Sequence, residues 1–253
     1  MAIAALTAIA LVMSQRAKAD HIKVVSGGAF EQVLDALAAR YQKEDGTRLD
    51  IAYQTVGQHL ALIRDGRETF DIAVLTPEAI DGLVKQGKVI AGSKVALARV
   101  GVGVAVKAGA ALPDISTVEA FKRALLAANA VAYIDPKAGG SSGIYVAGLL
   151  ERLGLASAVS AKAVLVDGGA VADHIADGEA ELGIHQISEI LPVAGVTLVG
   201  PLSAEIQNYT VYAAGIGAAT TNEGAARAAV RFMASPQALV IIKARGMETA
   251  SGP

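Results

Sequence analysis

The segment Ile134-Asp135-Pro136-Lys137-Ala138-Gly139-Gly140-Ser141-Ser142-Gly143-Ile144-Tyr145 joins two kinds of periodicity. An apolar, β-prone run at 131–134 feeds it, and an apolar run with helical spacing leaves it through Ile144, Ala147, Gly148 and Leu150. A loop between a strand and a helix, rich in glycine and hydroxyls at the helix entrance, is therefore predicted here. A helix N-terminus carries about half a positive charge and four unpaired N–H groups. Glycines let those groups approach a ligand, Ser141 and Ser142 add hydroxyl donors, and Lys137 adds a full charge. That chemistry holds an anion, although the same residues also make a well-capped helix.

Similar junctions recur along the chain. Strand 23–25 runs into Ser26-Gly27-Gly28-Ala29 and a helix with Phe30, Val33, Leu34, Leu37, Ala38 and Tyr41 on one face. Strand 49–53 runs into Thr55-Val56-Gly57-Gln58 and a short helix from His59 to Arg64. Strand 71–75 precedes a helix opened by Thr76-Pro77. This β-α-β-α order describes a parallel sheet covered by helices. The run 95–106 then has the length of two strands with a glycine-softened middle and reads as a crossover into a second lobe. Gly101 and Gly103 are not a dinucleotide fingerprint, because Val106 holds the next position and no helix follows. Ser116-Thr117-Val118-Glu119 is a capping box for a helix to about Ala128. Strands at 162–166, 182–186, 196–199 and 206–213 follow, with helices at 170–177, 188–191, 222–234 and 236–245. Ligands of open α/β sheets bind beyond the carboxyl ends of strands. The junctions 26–29, 55–58, 139–143 and 168–171 together predict an anion clamp between two lobes.

Composition bounds the rest. Of 253 residues 53% are apolar, enough for a sizeable core, and the net charge is −2. No Lys/Arg-rich run exists, so nucleic acid is not an expected partner. There is no cysteine, which removes disulfides, thiol catalysis and Cys-ligated zinc. Residues 1–13 form an apolar run followed by Ala17-Lys18-Ala19, the pattern of a signal peptide cut before Asp20, although no Lys or Arg precedes the run. The run is too short to span ~30 Å of hydrocarbon, which takes about 20 residues. The expected location is periplasmic.

Several stretches resemble one family in order and spacing: Ser26-Gly27-Gly28-Ala29-Phe30, Phe70-Asp71-Ile72-Ala73-Val74-Leu75-Thr76, Gly92-Ser93-Lys94-Val95-Ala96-Leu97-Ala98-Arg99, Asp135-Pro136, Gly178-Glu179-Ala180-Glu181-Leu182-Gly183-Ile184 and Ser235-Pro236-Gln237-Ala238. Across nearly all of the chain beyond residue 19 they resemble the periplasmic molybdate-binding proteins of ABC transporters, in the type II solute-binding class. The resemblance implies a two-lobed α/β periplasmic-binding-protein fold, each lobe a mixed, mainly parallel sheet flanked by helices, with the ligand in the cleft between lobes. Signal peptide 1–19, lobe one at 20–98 plus 206–253, and lobe two at 99–205 are the expected divisions. It also implies a monomer without cofactor that binds a small anion and meets a membrane permease.

The family's ligand positions fall here on altered residues: Ala29 for a capping serine, Thr55-Val56-Gly57-Gln58 for Gly-Ser-Ser-Gly, and Gln186, after His185, for a tyrosine. The expected ligand set is Ser26, Gly27, Gly28, Ala29, Gly57, Gln58, His59, Lys137, Ser141, Ser142, Gly143, Gly169, Ala170, Val171, His185 and Gln186. Histidines and a lysine make the expected pocket partly cationic and favour an organic di- or tricarboxylate over molybdate, with affinity rising as pH falls from about 8 to 6. His21 reads as a solvated terminus and His174 as an exposed helix face. No His-x-x-x-His or close acidic–His cluster predicts a metal site, and Ser142 lacks a Gly-x-Ser-x-Gly frame. Three roles stay open: transport, a sensory partner, and an isomerase on the same scaffold. Some exported relatives of this class isomerise aconitate by proton transfer, for which His185, His59 or Glu189 are the candidates here. The mature chain is expected to begin at Asp20, and the intact mass of protein recovered from periplasm checks it; retention of residues 1–19 there rejects it.

Overall fold

The computed structural model describes residues 21–250; the expected signal segment and its cleavage point lie outside the described residues. The chain runs β1 (His21–Gly27), a one-turn 3-10 helix (Gly28–Phe30), α1 (Glu31–Asp45), β2 (Arg48–Gln54), α2 (Val56–Arg64), β3 (Ile72–Leu75), α3 (Pro77–Lys85) and β4 (Val95–Lys107). It continues through α4 (Val118–Ala127), β5 (Val131–Ile134), a 3-10 turn (Pro136–Ala138), α5 (Ser141–Arg152), α6 (Ala156–Ser160), β6 (Ala163–Val166), α7 (Val171–Ala176), β7 (Leu182–Gln186) and α8 (Ile187–Ile190). β8 (Val196–Pro201), a third 3-10 turn (Ala204–Ile206), β9 (Tyr209–Ile216), α9 (Glu223–Met233), α10 (Pro236–Ala244) and β10 (Glu248–Thr249) complete it.

The strands form one curled mixed sheet in the order β2-β1-β3-β9-β4-β7-β5-β6, with β8 and β10 also paired to β4. The β1–β2, β1–β3, β5–β6 and β5–β7 pairs are parallel; the pairs made by β4 and β9 are antiparallel. The run expected to be two strands is one continuous strand of 13 residues. Its first half, from Val95 to Gly101, pairs with β9, and Val102 onward pairs with β7 and β8. Where β4 changes partner, the Gln207 side chain takes both backbone groups of Val102: N–H to Oε1 at 2.8 Å and Nε2–H to the carbonyl at 3.0 Å. The backbone therefore has no need to break there, because no buried amide is left unpaired.

Each half of the sheet is covered on both faces. In the first half, Phe30, Leu34, Leu37 and Tyr41 meet Met233 and Ile242 over Ile22, Val24, Ile72 and Ala214. Ile63, Ile80, Leu83 and Val89 cover the other face. In the second half, Phe121, Leu125, Val146 and Leu149 pack on Val104, Val131, Tyr133 and Ile184, while Ile134, Val166, Val171 and Ile175 form the opposite layer. Burying each such side chain stabilises the fold by about 1.5–3 kcal/mol before entropy is counted. Several boundaries differ from expectation; α2, for one, starts at Val56 and not at His59. The cap of α4 is Thr117, whose side chain accepts from Ala120 N–H, with no reciprocal glutamate. The strand expected at 206–213 starts at Tyr209, because residues 204–206 form the turn that delivers Gln207.

Buried Asp71 ties the first half together. It accepts from Lys23 N–H at 2.8 Å and from the Thr220 hydroxyl, and so joins β1 to the connection before α9. Asp71→Ala leaves both donors unpaired and is expected to cost about 1–3 kcal/mol of unfolding free energy; urea denaturation checks it, and an unchanged midpoint rejects this account.

Candidate functional site

At the seam between the two halves lies a cavity of about 460 Å³. Several helix entrances open on it, that of α7 through Gly168, Gly169 and Ala170 among them. Gly27, Gly28 and Ala29 lead into α1; Thr55, Val56 and Gln58 begin α2; Gly140, Ser141 and Ser142 begin α5. At α2 a capping box forms: Thr55 Oγ1 accepts from Gln58 N–H at 3.1 Å, and Gln58 Oε1 accepts from Thr55 N–H at 3.0 Å.

The two halves touch across this cleft. The Thr55 hydroxyl donates to the Ala138 carbonyl, Gly57 N–H to the Gly139 carbonyl at 3.2 Å, and the Ser188 hydroxyl to the Ala29 carbonyl at 2.7 Å. Gly57 and Gly139 meet backbone to backbone. A Cβ built on either falls 2.8 Å from the other's Cα, so only glycine permits the approach.

Of the expected ligand residues, Gly27, Gly28, Ala29, Gln58, Ser141, Ser142, Gly169, Ala170, His185 and Gln186 line the cavity, as does Glu189. Ser26, Gly57, His59, Lys137, Gly143 and Val171 do not. His59 is wholly buried: Nε2–H donates to the Ser26 carbonyl at 3.0 Å and Nδ1 lies 2.8 Å from Glu68 Oε2. It ties α2 to β1 rather than facing a ligand. Lys137 is exposed, since Asp135 accepts its backbone N–H and the turn carries the side chain outward. Val171 and Gly143 pack inside the second half. Ser26 is buried, and its hydroxyl donates to the Gly27 carbonyl at 3.2 Å. Outside the cavity, His21 and His174 pair with Asp50 and Glu179.

The expected cationic pocket is absent. Among the described residues no lysine or arginine lines the cavity, whereas Glu31, Asp167, Asp173 and Glu189 do. Thr55 lines it as part of the expected 55–58 junction, whereas Glu31, Asp173 and Tyr212 were not expected. Glu31 was within reach of sequence reasoning, two residues beyond Ala29 at the start of α1; Tyr212 comes from β9, far along the chain.

At the cavity wall, His185 Nε2 and Glu189 Oε2 are 3.3 Å apart, with side chains 2% and 15% exposed. Burial holds the imidazole down at about 3. Burial, and then the charge of Glu31, push the Glu189 carboxyl up to about 8. At neutral pH both groups are therefore uncharged. Histidine titration between pH 8 and 6 is thus not a feature of His185, and the expected pH dependence from that source does not hold. Gly28 leaves the carboxyl room, because a Cβ there would stand 3.0 Å from Glu189 Oε1. His185 Nδ1 and Gln186 Nε2 are buried without a hydrogen-bond partner.

The sequence matches the bacterial extracellular solute-binding proteins over residues 22–248. The chain belongs to that family. It is 33% identical over 236 residues to an aconitate isomerase of a Pseudomonas species, covering 90% of this chain and 87% of that protein. Its fold matches the periplasmic molybdate-binding protein of Azotobacter vinelandii, with TM-score 0.73, 24% identity, and 89% and 98% of the two chains covered. It also matches the sulfate-binding protein SubI of Mycobacterium tuberculosis, with TM-score 0.72, 18% identity, and 90% and 86% covered. The fold is thus that of periplasmic binding proteins, as the resemblance implied; at these identities the two structures speak for the fold alone.

Two outcomes follow from the geometry. Between pH 4.5 and about 8 the folded chain keeps the Glu189 proton that the unfolded chain releases, so that contribution is complete below 4.5 and is lost as pH rises through 8. Glu189→Gln does not titrate, and its melting temperature relative to the unaltered protein is expected to climb from pH 5 to pH 9; a constant difference rejects the raised carboxyl. Gly57→Ala is expected to hold the cleft apart at Gly139 and weaken ligand binding by about tenfold or more, the effect of ~1.4 kcal/mol, with little change in melting temperature. Calorimetric titration of the variant checks it.

Proposed function

We propose that this family member is an isomerase that moves a proton along an unsaturated polycarboxylate of the aconitate type. The observation that carries this reading is the buried His185–Glu189 pair facing the cavity. A carboxyl raised to about 8 is far more basic when ionised than an ordinary one, which suits abstraction from carbon. When Glu189 is protonated its O–H faces His185 Nε2, which leaves the ring hydrogen on Nδ1. An ionised Glu189 then meets no donor on that ring nitrogen and stays basic.

The step balances without a cofactor. Glu189 takes a proton from the methylene carbon beside the double bond. The electron pair spreads over the three-carbon unit and the adjoining carboxylate. The proton returns to the far carbon, and the double bond moves by one position. The cavity suits such a ligand in size: about 460 Å³ corresponds to roughly fifteen waters at ~30 Å³ each, room for a dozen heavy atoms rather than a single tetrahedral oxyanion. The entrances of α1, α2 and α5 supply the partial positive charge, and a protonated Glu189 adds none of the negative kind. The 33% identity to an aconitate isomerase supports the same reading.

In this proposal the lobes 20–98 with 206–253, and 99–205, clamp the anion in the periplasm. Family membership favours a second reading, delivery of the solute to a membrane permease of an ABC transporter; one experiment separates the two. Purified protein is incubated with cis-aconitate, and trans-aconitate is followed by proton NMR. Conversion is expected, with kcat/KM rising with pH to a plateau above about 8 as Glu189 ionises. Affinity for the saturated analogue propane-1,2,3-tricarboxylate should fall over the same range, because the ionised carboxylate repels it. Glu189→Gln should lose about 10²–10⁴ in rate and still bind the analogue. Tight molybdate or carboxylate binding with no conversion would sink the isomerase and return the protein to transport.

A further inference from the structure

We infer that Tyr212 is a ligand-contacting donor of the closed cleft, its phenol hydroxyl donating to the ligand carboxylate that also meets His185 and Gln186. The inference rests on the isomerase reading for its catalytic consequence, and on the structure for the contact itself. Tyr212 belongs to β9 in the first half, whereas His185 and Gln186 end β7 in the second. All three line the cavity, and all are buried, at 2%, 2% and 3% exposure. The contacts across the cleft at Thr55, Gly57 and Ser188 are what bring the two halves together around them.

Three observations converge. First, the phenol lies directly over the Gly27 backbone: a Cβ at Gly27 would fall 2.8 Å from Tyr212 Cε1 and 3.2 Å from its hydroxyl oxygen. Gly27 has φ −64°, which any residue adopts, so the missing side chain serves the ring above it and not the backbone. Second, His185 Nδ1 is buried with no partner, and Gln186 Nε2 has none beyond its approach to the Tyr212 phenol. Buried polar groups are nearly always satisfied, and exceptions gather where a ligand completes them. An acceptor such as a carboxylate oxygen answers Gln186 Nε2–H and His185 Nδ1–H together. Third, the phenol keeps its proton: burial, and then the nearby Glu189, hold its titration well above the usual tyrosine range, with Gln186 acting weakly in the other direction. The ring itself is fixed against Phe30, with centroids 5.6 Å apart.

During proton transfer, negative charge flows into the carboxylate conjugated with the reacting carbons. A fixed donor there strengthens its hydrogen bond as the charge develops, the role of an oxyanion donor. Tyr212→Phe removes only the hydroxyl and keeps the ring on Phe30. It is expected to lower kcat for aconitate conversion by about 10²-fold and to weaken propane-1,2,3-tricarboxylate binding by about tenfold, with the melting temperature unchanged. Gly27→Ala displaces the ring while leaving the hydroxyl in the sequence, and should show the same two losses.

Normal kcat and normal analogue affinity in Tyr212→Phe overturn this inference and leave the isomerase standing if the unaltered protein converts aconitate. If the unaltered protein binds the analogue without converting aconitate, the isomerase falls. The affinity of Tyr212→Phe then decides the contact: weakened binding supports it, and equal binding overturns it. Neither conversion nor analogue binding in the unaltered protein overturns both.

Discussion

The structure depends on one continuous strand that serves both halves of the sheet. β4 gives its first seven residues to β9 and its remainder to β7 and β8, so a single extended backbone is the spine of both halves. A break at the handover would expose buried amide groups. The Gln207 side chain prevents it by supplying both a donor and an acceptor to Val102. Gly101 leaves the room for that side chain, whose atoms come within 3.2 Å of where a Cβ would be. The cavity sits where the strand ends of the two halves meet, which is where open α/β sheets bind ligands.

Within the cleft, glycine sets how near things come. The Gly57–Gly139 contact fixes the separation of the halves at one rim. Gly28 does the same on the floor beside Glu189, while Gly27 seats Tyr212 of its own half. The first half is thereby pressed over His185 and Glu189 of the second, in a space that excludes water on most sides. Desolvation then determines their protonation: an imidazole that resists its proton and a carboxyl that keeps one. The charge of Glu31 adds to this at Glu189. With no lysine or arginine in its lining among the described residues, the site offers an anion neutral donors and helix entrances, the same means by which burial of an unpaired charge is avoided.

In the isomerase proposed for this chain, the pair does what a passive clamp has no need of. A clamp needs donors in fixed positions; a proton-transfer site needs a group that holds a proton loosely near neutral pH. Glu189 meets the second requirement because it stands in the first turn of α8, one helical turn beyond His185, at the wall of the cavity. His59, with the same imidazole chemistry, meets neither, since both of its ring nitrogens are occupied by Ser26 and Glu68.

The sequence by itself determined the class of fold, the order of most elements and the loops at which a ligand would be held. Those features are local: apolar spacing separates strand from helix, and glycine with hydroxyl residues marks helix entrances. The loops at 27–29, 140–142 and 169–170 and the His185–Gln186 strand end were legible for that reason. What local pattern does not hold is the direction of a side chain after the chain has packed. Lys137 turns outward because Asp135 shapes its turn, and His59 turns inward because α2 lies against β1. Tyr212 reaches the cavity only because β9 pairs with β4 and brings it over Gly27. Tertiary structure alone decided the charge of the site, since protonation follows from the water that packing removes, and no spacing of residues along a chain encodes that removal.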